Sequence, residues 1–555
     1  MDRRVDDHRS LVDRSPIGRL ALAGIIAVPL VFLAYFFVYP TVSITLRGLT
    51  ADGSLSFSVF GDVLSDPILR KVARFTLVQA LLSTLITVAL ALPSAWVFAR
   101  FTFPGKRLLG AASLVPFVLP TLVVGSAFLT LVGPRGVLGI DLTGTLWLIL
   151  IAHVFYNYAI VVRGVGAYWE RIDPKLEAAA RTLGASPLAA FRTVTLPLLR
   201  PAIASTSALV FLFSFTSFGV VLLLGDLNST TIEVEIWRQT TAFLRLDIAS
   251  TLAVLQLVGI GVILAAYGWF QRRTTIQFEH AVAIARQPRG RERWLVFTIV
   301  ASMVAILGTP LTVLVGRSLF GPNGSFGFEN YANLFTLPAN SAAFVRPALA
   351  IRNSLLIAVV ASGIAIAVGI LASVGLTYAR QRTARVFDVF VMLPLGTSAV
   401  TIGFGFLVAL DWPIDIRTSL ILIPIAHALV AVPFVVRTAT PALASVQHGL
   451  REAAATLGAS PWRTWWTIDL RLVGSAILVA AAFAFAISMG EFGATAFIAR
   501  PNAPTIPIAI FKLLGRPGST PFGAAIALSS ILMAITGLTM MVIDASSGTR
   551  TRSEL

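Results

Sequence analysis

The sequence contains no cysteine, so disulfides, zinc–thiolate centres and iron–sulfur ligation are excluded, and nothing about its redox compartment can be read from it. Charge is scarce as well: Asp, Glu, Lys and Arg make up 12% of 555 residues against 56% hydrophobic residues, and the mean hydropathy is +0.85. A soluble domain with so few charges could not cover its own surface, so most of this chain must face lipid. The phosphate-binding pattern G-x-x-x-x-G-K-[ST] is missing: Gly105-Lys106-Arg107 lacks both the first glycine and the hydroxyl. His153 and His427 stand alone, without clustered carboxylates or a nucleophile beside a base, so neither a catalytic nor a metal-binding constellation is expected. The net charge of +17 raises the question of nucleic acid, but the basic residues fall in short loops between apolar runs, without aromatic interleaving or a basic face.

What is present is a succession of apolar stretches, each long enough to cross a hydrocarbon core of about 30 Å as a helix. They fall at about 20–42, 75–98, 108–132, 144–163, 200–224 and 247–270, then at 295–316, 354–379, 387–410, 418–437, 473–498 and 522–544. The basic start of the chain is too long and too acidic for a signal segment and no small-residue cleavage site follows it, so the first run is expected to stay as a span.

The second half repeats the first. Glu177 to Pro197, EAAARTLGASPLAAFRTVTLP, matches Glu452 to Arg471, EAAATLGASPWRTWWTIDLR, with Gly184 and Gly458 separated by 274 residues. The same offset relates His153 to His427, Arg163 to Arg437, Phe218-Gly219 to Phe492-Gly493 and Thr231 to Thr505. Each copy reads as a helix, a sharp bend at Gly and a second helical run. The expected organisation is a tail over 1–19, a first repeat over 20–270 with its core from about 70, a linker over 271–293, a second repeat over 294–545 with its core from about 350, and a tail over 546–555.

With the N-terminus in the cytoplasm, 29 of the 43 basic residues fall on the inner side, as the positive-inside rule requires. Six spans per half make the repeats parallel, and both Gly-bend segments then lie in cytoplasmic loops. The expected fold is an all-α integral membrane protein of about 12 transmembrane helices in two parallel six-helix repeats. Both termini are expected in the cytoplasm of a multi-pass inner-membrane protein.

These loops resemble the EAA loops of a fused permease subunit of a type I ATP-binding-cassette importer. In that family each half carries Glu-Ala-Ala, three residues, Gly, nine residues, then Ile-x-Leu-Pro. The second copy matches at Glu452, Ala453, Ala454, Gly458, Ile468 and Leu470, with Arg471 in place of Pro. The first keeps Gly184, Val194, Leu196 and Pro197, while Glu177 sits one residue early and Ala178 and Ala179 follow it. The resemblance implies that the loops dock two copies of a separate ATPase subunit, that ATP-Mg is bound there with no cofactor on this chain, and that an extracytoplasmic binding protein delivers the solute. It implies no nucleic-acid partner and places the chain in the lipid bilayer.

AHVFYN at 152–157, FTSFGVVLLLG with TTIEVEIWRQ at 215–239, and SMGEFG with TIPIAIF at 488–511 are most similar to fused thiamine permeases. Fused ferric-iron permeases share the SFG or EFG turn, and phosphonate or polyamine permeases are further alternatives. A twelve-helix secondary transporter is the rival from another class. It would show ion-coupling residues in its spans and, in its largest family, a Gly- and Arg-rich signature after span 2, where this chain has only ARFTFPGKR. Ser217, Phe218 and Gly219 in the first repeat, and Glu491, Phe492 and Gly493 in the second, are the candidates for the translocation path or gate. Glu491, a carboxylate within an apolar span, either serves that path or reaches water at the outer end of its helix. The two histidines are expected to hydrogen-bond neighbouring helices rather than substrate.

Overall fold

A backbone in hydrocarbon has no water to bond, so long apolar runs close their hydrogen bonds within helices. The computed structural model describes residues 16–51, 54–55, 61, 63, 65–274, 285–336 and 346–548, and among these nearly everything ordered is helical. The exception is a ladder of Thr50–Ala51 with Ser54–Leu55. Most of the expected tails over 1–19 and 546–555 and part of the linker lie outside the described residues.

Helix α1 (Pro16–Leu33) runs through a π-helical turn, Ala34–Val38, into α2 (Tyr39–Leu49). Helix α3 (Pro67–Arg100) starts sharply because Pro67 occupies its first turn and Asp66 caps it, Oδ1 accepting from the Ile68 amide at 2.7 Å. There follow α4 (Lys106–Ala112), α5 (Thr121–Val132), α6 (Leu146–Trp169), α7 (Pro174–Thr182), α8 (Leu196–Phe215), α9 (Ile232–Thr241) and α10 (Leu246–Thr274). The second series is α11 (Arg291–Ser318), α12 (Pro347–Tyr378), α13 (Gln381–Met392), α14 (Ala399–Ala409), α15 (Leu422–Ala444), α16 (His448–Thr456), α17 (Leu470–Gly490), α18 (Ile506–Leu514) and α19 (Ser519–Gly548).

Ten helices among the described residues are long and apolar enough to cross a membrane, and two further pairs bring the number to 12 if each pair is one span. Those pairs fall in the third and ninth apolar stretches. Lys106–Val118 and Thr121–Val132 meet at 99°, and Gln381–Gly396 and Ala399–Ala409 at 96°. The first bend lies at Pro120, whose ring holds Leu119 in extended backbone (ψ 138°). The second lies at Thr397, also extended, after which the Ser398 hydroxyl caps the new helix by accepting from the Thr401 amide at 3.0 Å. Apolar composition alone does not register such a break, because both halves of the pair are equally hydrophobic.

The compact units cut across the two repeats. One comprises Met1–Arg47, Leu334–Lys512 and Ile531–Leu555; the other comprises Gly48–Asn333 and Leu513–Ser530. Each repeat's first span therefore belongs to the unit built on the other repeat's core. In one unit α1 packs on α12, with Leu33 and Phe37 joining a core that includes Ala365, Val391, Phe406 and Val432. In the other, Val296 of α11 packs with Val97 and Phe101, and the Arg286 carbonyl accepts from the Thr102 amide at 2.9 Å. The physical reason is shape. α12 buries a stripe of small residues, Ala350, Ser354, Ala358, Ala361, Ala365, Gly369 and Ala372, and can approach its neighbours closely. A Cβ on Gly369 would lie 2.5 Å from the Val435 side chain of α15.

Candidate coupling loops and translocation site

The two Gly-bend loops have the same construction. α7 is capped by Asp173, whose Oδ1 accepts from Lys175 N at 2.9 Å, and it ends at Gly184, where φ is +91°. The amide of Ala185 donates to Ala180 O at 3.1 Å and that of Gly184 to Arg181 O at 3.0 Å, which closes the helix end with a left-handed cap. α16 ends likewise at Gly458, φ +78°, with Ala459 N donating to Ala454 O at 2.9 Å and Gly458 N to Ala455 O at 3.0 Å. An added Cβ at either glycine would meet nothing within 4 Å, so glycine is required by backbone conformation and not by space.

After each bend a serine, Ser186 or Ser460, caps a one-turn helix, and a π-helical turn follows, Phe191–Thr195 or Trp465–Asp469, before α8 or α17 begins. The second copy builds this turn with Arg471 where the first has Pro197, so the proline does not cause it. Leu183 and Leu457, the residues just before the two glycines, are 90% and 88% exposed. Ala178, Ala179, Glu452 and Ala453 are exposed, and Ala454, Pro197 and Leu470 half-buried.

Glu177 has a defined role despite its early position. Its Oε2 accepts from the Thr195 hydroxyl at 3.1 Å, tying α7 to the last residue of the π turn. In the second repeat the equivalent positions hold Arg451 and Asp469, joined at 2.6 Å, with side chains 14% and 5% exposed. The tie is kept while donor and acceptor change places. Sequence reasoning missed it, although the 274-residue offset relates Glu177 to Arg451 and Thr195 to Asp469 and offers complementary partners in each copy.

The candidate path residues form a second repeated arrangement. In the first repeat His153 bridges Ser83 Oγ, 2.9 Å from Nδ1, and Ser217 Oγ, 2.8 Å from Nε2. In the second, His427 Nδ1 lies 2.8 Å from Ser488 Oγ, and Nε2 lies 2.8 Å from Thr495 Oγ1 and 3.3 Å from Glu491 Oε2. The Glu491 carboxylate also accepts from the amides of Ala494 at 2.9 Å and Thr495 at 3.1 Å and from the Thr495 hydroxyl at 2.8 Å. Glu491 is 7% exposed, so it does not reach water; it caps the turn after α17. Phe218 packs on Trp237 with centroids 6.4 Å apart, and Phe492 on Phe511 at 5.6 Å, again at matching positions. Gly219 is buried, and a Cβ on Gly493 would press on Ala399 and Val400.

The downstream Thr-Ile pairs complete the frame. The Ile232 amide at the start of α9 donates to Thr76 Oγ1 of α3 at 3.0 Å, and the Ile506 amide at the start of α18 donates to Ser354 Oγ of α12 at 2.8 Å. Among the described residues no three His, Asp or Glu side chains gather as a metal site would need.

Comparison with known proteins agrees with this doubled construction. The family model described as "binding-protein-dependent transport system inner membrane component" matches residues 68–276 and again 365–550. A thiamine transport system permease protein of Brucella abortus (strain 2308) is 27% identical over 514 residues, covering 87% of this chain and 89% of its own length. A sulfate transport system permease protein of Salmonella typhimurium (strain LT2) is 36% identical over 179 residues, 31% of this chain and 64% of its own. A solved bacterial ABC transporter involved in the import of the polysaccharide alginate matches with a TM-score of 0.40 and 17% identity, covering 46% of this chain and 96% of that one. With both of its repeats matched, this chain belongs to the binding-protein-dependent transport system inner membrane component family, as a multi-pass permease subunit of an ABC importer.

Proposed function

We propose that the chain forms the translocation path of an importer for thiamine, delivered by an extracytoplasmic binding protein and driven by two ATPase subunits docked on the loops at α7 and α16. The observation that carries the substrate reading is the similarity to thiamine permeases over 87% of the chain, through both repeats. The docking reading is supported by the two exposed leucines, each presented at the tip of a short helix by a left-handed glycine. A docked helix can move only with what it is tied to. The Glu177–Thr195 and Arg451–Asp469 ties would carry its displacement to α8 and α17, with Gly184 and Gly458 setting the angle.

At the far ends of α8 and α17, the turns of Ser217, Phe218 and Gly219 and of Glu491, Phe492 and the half-buried Gly493 are largely shut away from solvent and held by a histidine. On this reading they act as fixed gate elements that move as blocks. ATP-Mg binds only on the partner subunits, and the loops, like both termini, face the cytoplasm.

The test is uptake of radiolabelled thiamine by cells that carry the cognate ATPase and binding protein, with and without this chain. Accumulation that requires the chain is expected. Chain-independent thiamine uptake, alongside chain-dependent uptake of labelled ferric iron or spermidine, would replace thiamine by the alternative cargo.

A further inference from the structure

The ties within the two loops have a third member. Arg100 is the last residue of α3 and Tyr378 the last residue of α12. The two occupy matching places: each stands 24 residues after the hydroxyl, Thr76 or Ser354, that receives the Ile232 or Ile506 amide. Both are half-buried.

In the first repeat the Arg100 guanidinium donates to the Ile172 carbonyl at 2.9 Å, in the turn between α6 and α7. The carboxylates of Asp173, which caps α7, and of Glu177, within it, act on the same guanidinium electrostatically. Glu177 in turn accepts from Thr195 at the end of the π turn. In the second repeat the Arg451 guanidinium of α16 lies over the Tyr378 ring, 5.3 Å from its centroid. It donates to Asp469 Oδ1 through Nε at 2.8 Å and Nη2 at 2.6 Å, and to the Leu443 carbonyl near the end of α15 at 3.4 Å.

Each repeat thus has one arginine at a junction of the same elements: the end of α3 or α12, the end of α6 or α15, the coupling helix and the π turn. The arginine comes from α3 in one repeat and from α16 in the other. Over positions 100, 177 and 195 the order is cation, carboxylate, hydroxyl; over 378, 451 and 469 it is aromatic ring, cation, carboxylate. All three side chains differ, yet the junction is closed in both. The second is also packed: Ala442, Leu443, Val446, Val473 and Ala476 form an apolar cluster that Val374 of α12 and Trp465 and Ile468 of the π turn join. A half-desolvated guanidinium with partners on several elements resists being drawn away from any one of them, because the partner left behind loses its counter-charge or its cation–π contact.

We propose that Arg100 and Tyr378 are positioning residues for energy coupling: they clasp α7 to α3 and α16 to α12, so that each docked helix displaces α3 with α8, or α12 with α17, as one block. This role rests on the reading that the ATPase docks on α7 and α16, and it adds the second helix that each loop moves.

The test uses the purified importer, this chain with its ATPase, in proteoliposomes. It reads the factor by which the cognate binding protein stimulates ATP hydrolysis. Arg100→Gln and Tyr378→Leu should each lower that factor about threefold. Arg100→Lys, which keeps the charge, and Tyr378→Phe, which keeps the ring, should match the wild type. A covalent bridge supplies the converse. Arg100→Cys with Glu177→Cys, or Tyr378→Cys with Arg451→Cys, places a cysteine on each side of one clasp in a chain that has no other. Joining the pair with a short bifunctional thiol reagent should restore the stimulation that the unbridged variant lacks, because the two elements move together. Stimulation abolished by bridging would show that they must separate during the cycle, and would overturn the clasp. So would wild-type factors in both Arg100→Gln and Tyr378→Leu, or a lowered unfolding temperature as their only change, which would mark the two residues as structural. A wild-type chain that fails to retain its ATPase on purification would refute the docking reading, and the coupling role of the clasps with it.

Discussion

His427 Nε2 and Glu491 Oε2 lie 3.3 Å apart in a site from which water is almost excluded, and the equivalent pair in the first repeat, His153 and Ser217, is held at 2.8 Å. The same contact is made with a carboxylate in one half and with a hydroxyl in the other. A carboxylate with this many donors acts first as a cap, which sets what its removal should do.

Glu491→Ala leaves the imidazole, two backbone amides and the Thr495 hydroxyl without their acceptor. The loss should be about 2–4 kcal/mol, measured as a lowered unfolding temperature of the detergent-purified importer. Glu491→Gln keeps one oxygen and should cost less than half of that. If the turn is also a gate, Glu491→Ala should raise ATP hydrolysis in the absence of binding protein. Wild-type stability and hydrolysis in the alanine variant would refute both roles.

The tie in the second loop is testable by a double-mutant cycle. Arg451→Ala or Asp469→Ala alone strands a largely buried charge and should cost about 3 kcal/mol, while the double variant should cost clearly less than the sum. Because the repeats are equivalent, Glu177→Arg should impair uptake and the added change Thr195→Asp should restore it. Additive effects in the cycle, or no rescue in the first loop, would show that the ties do not act as pairs.

Gly458→Val forces a β-branched side chain into left-handed backbone at about 1–2 kcal/mol or more, whereas Gly458→Asn should be tolerated, since asparagine adopts that conformation readily. Valine should lower the number of solute molecules imported per ATP hydrolysed, and asparagine should not. Gly184→Val should act in the same way. Equal coupling ratios in both valine variants would remove the glycines from the coupling mechanism.

The proposed topology is open to direct labelling, because the chain has no cysteine of its own. A cysteine placed at Gln287, or at Ser547, should react with a membrane-impermeant maleimide only after the cells are opened. Labelling of either in intact cells would invert the orientation.

Much of the candidate coupling site was legible in the chain because it depends on local rules. Gly184 and Gly458 stand where a helix must end in left-handed backbone, and a serine two residues on and a proline three residues on announce the next turn. The Glu177–Thr195 and Arg451–Asp469 ties were not legible from either loop alone: they join positions 18 residues apart across the bend, and only the fold shows which faces meet. Glu491 illustrates the opposite case. Its place in an apolar run left a water-facing end open, and the turn after α17, which folds back to give it donors from its own next residues, closes that alternative.

By itself the sequence determined the all-helical membrane class, the doubling of the chain and the two glycine-bent loops, since hydrophobic length, offset identity and backbone preference are properties of short stretches. Tertiary structure alone decided that the third and ninth spans bend near 100°, that each first span joins the other repeat's unit, and that Arg451 meets the Tyr378 ring at the end of α12. Those outcomes depend on which small-residue stripes lie against which helices and on which polar groups are shut away from water, and packing settles both between residues far apart in the chain.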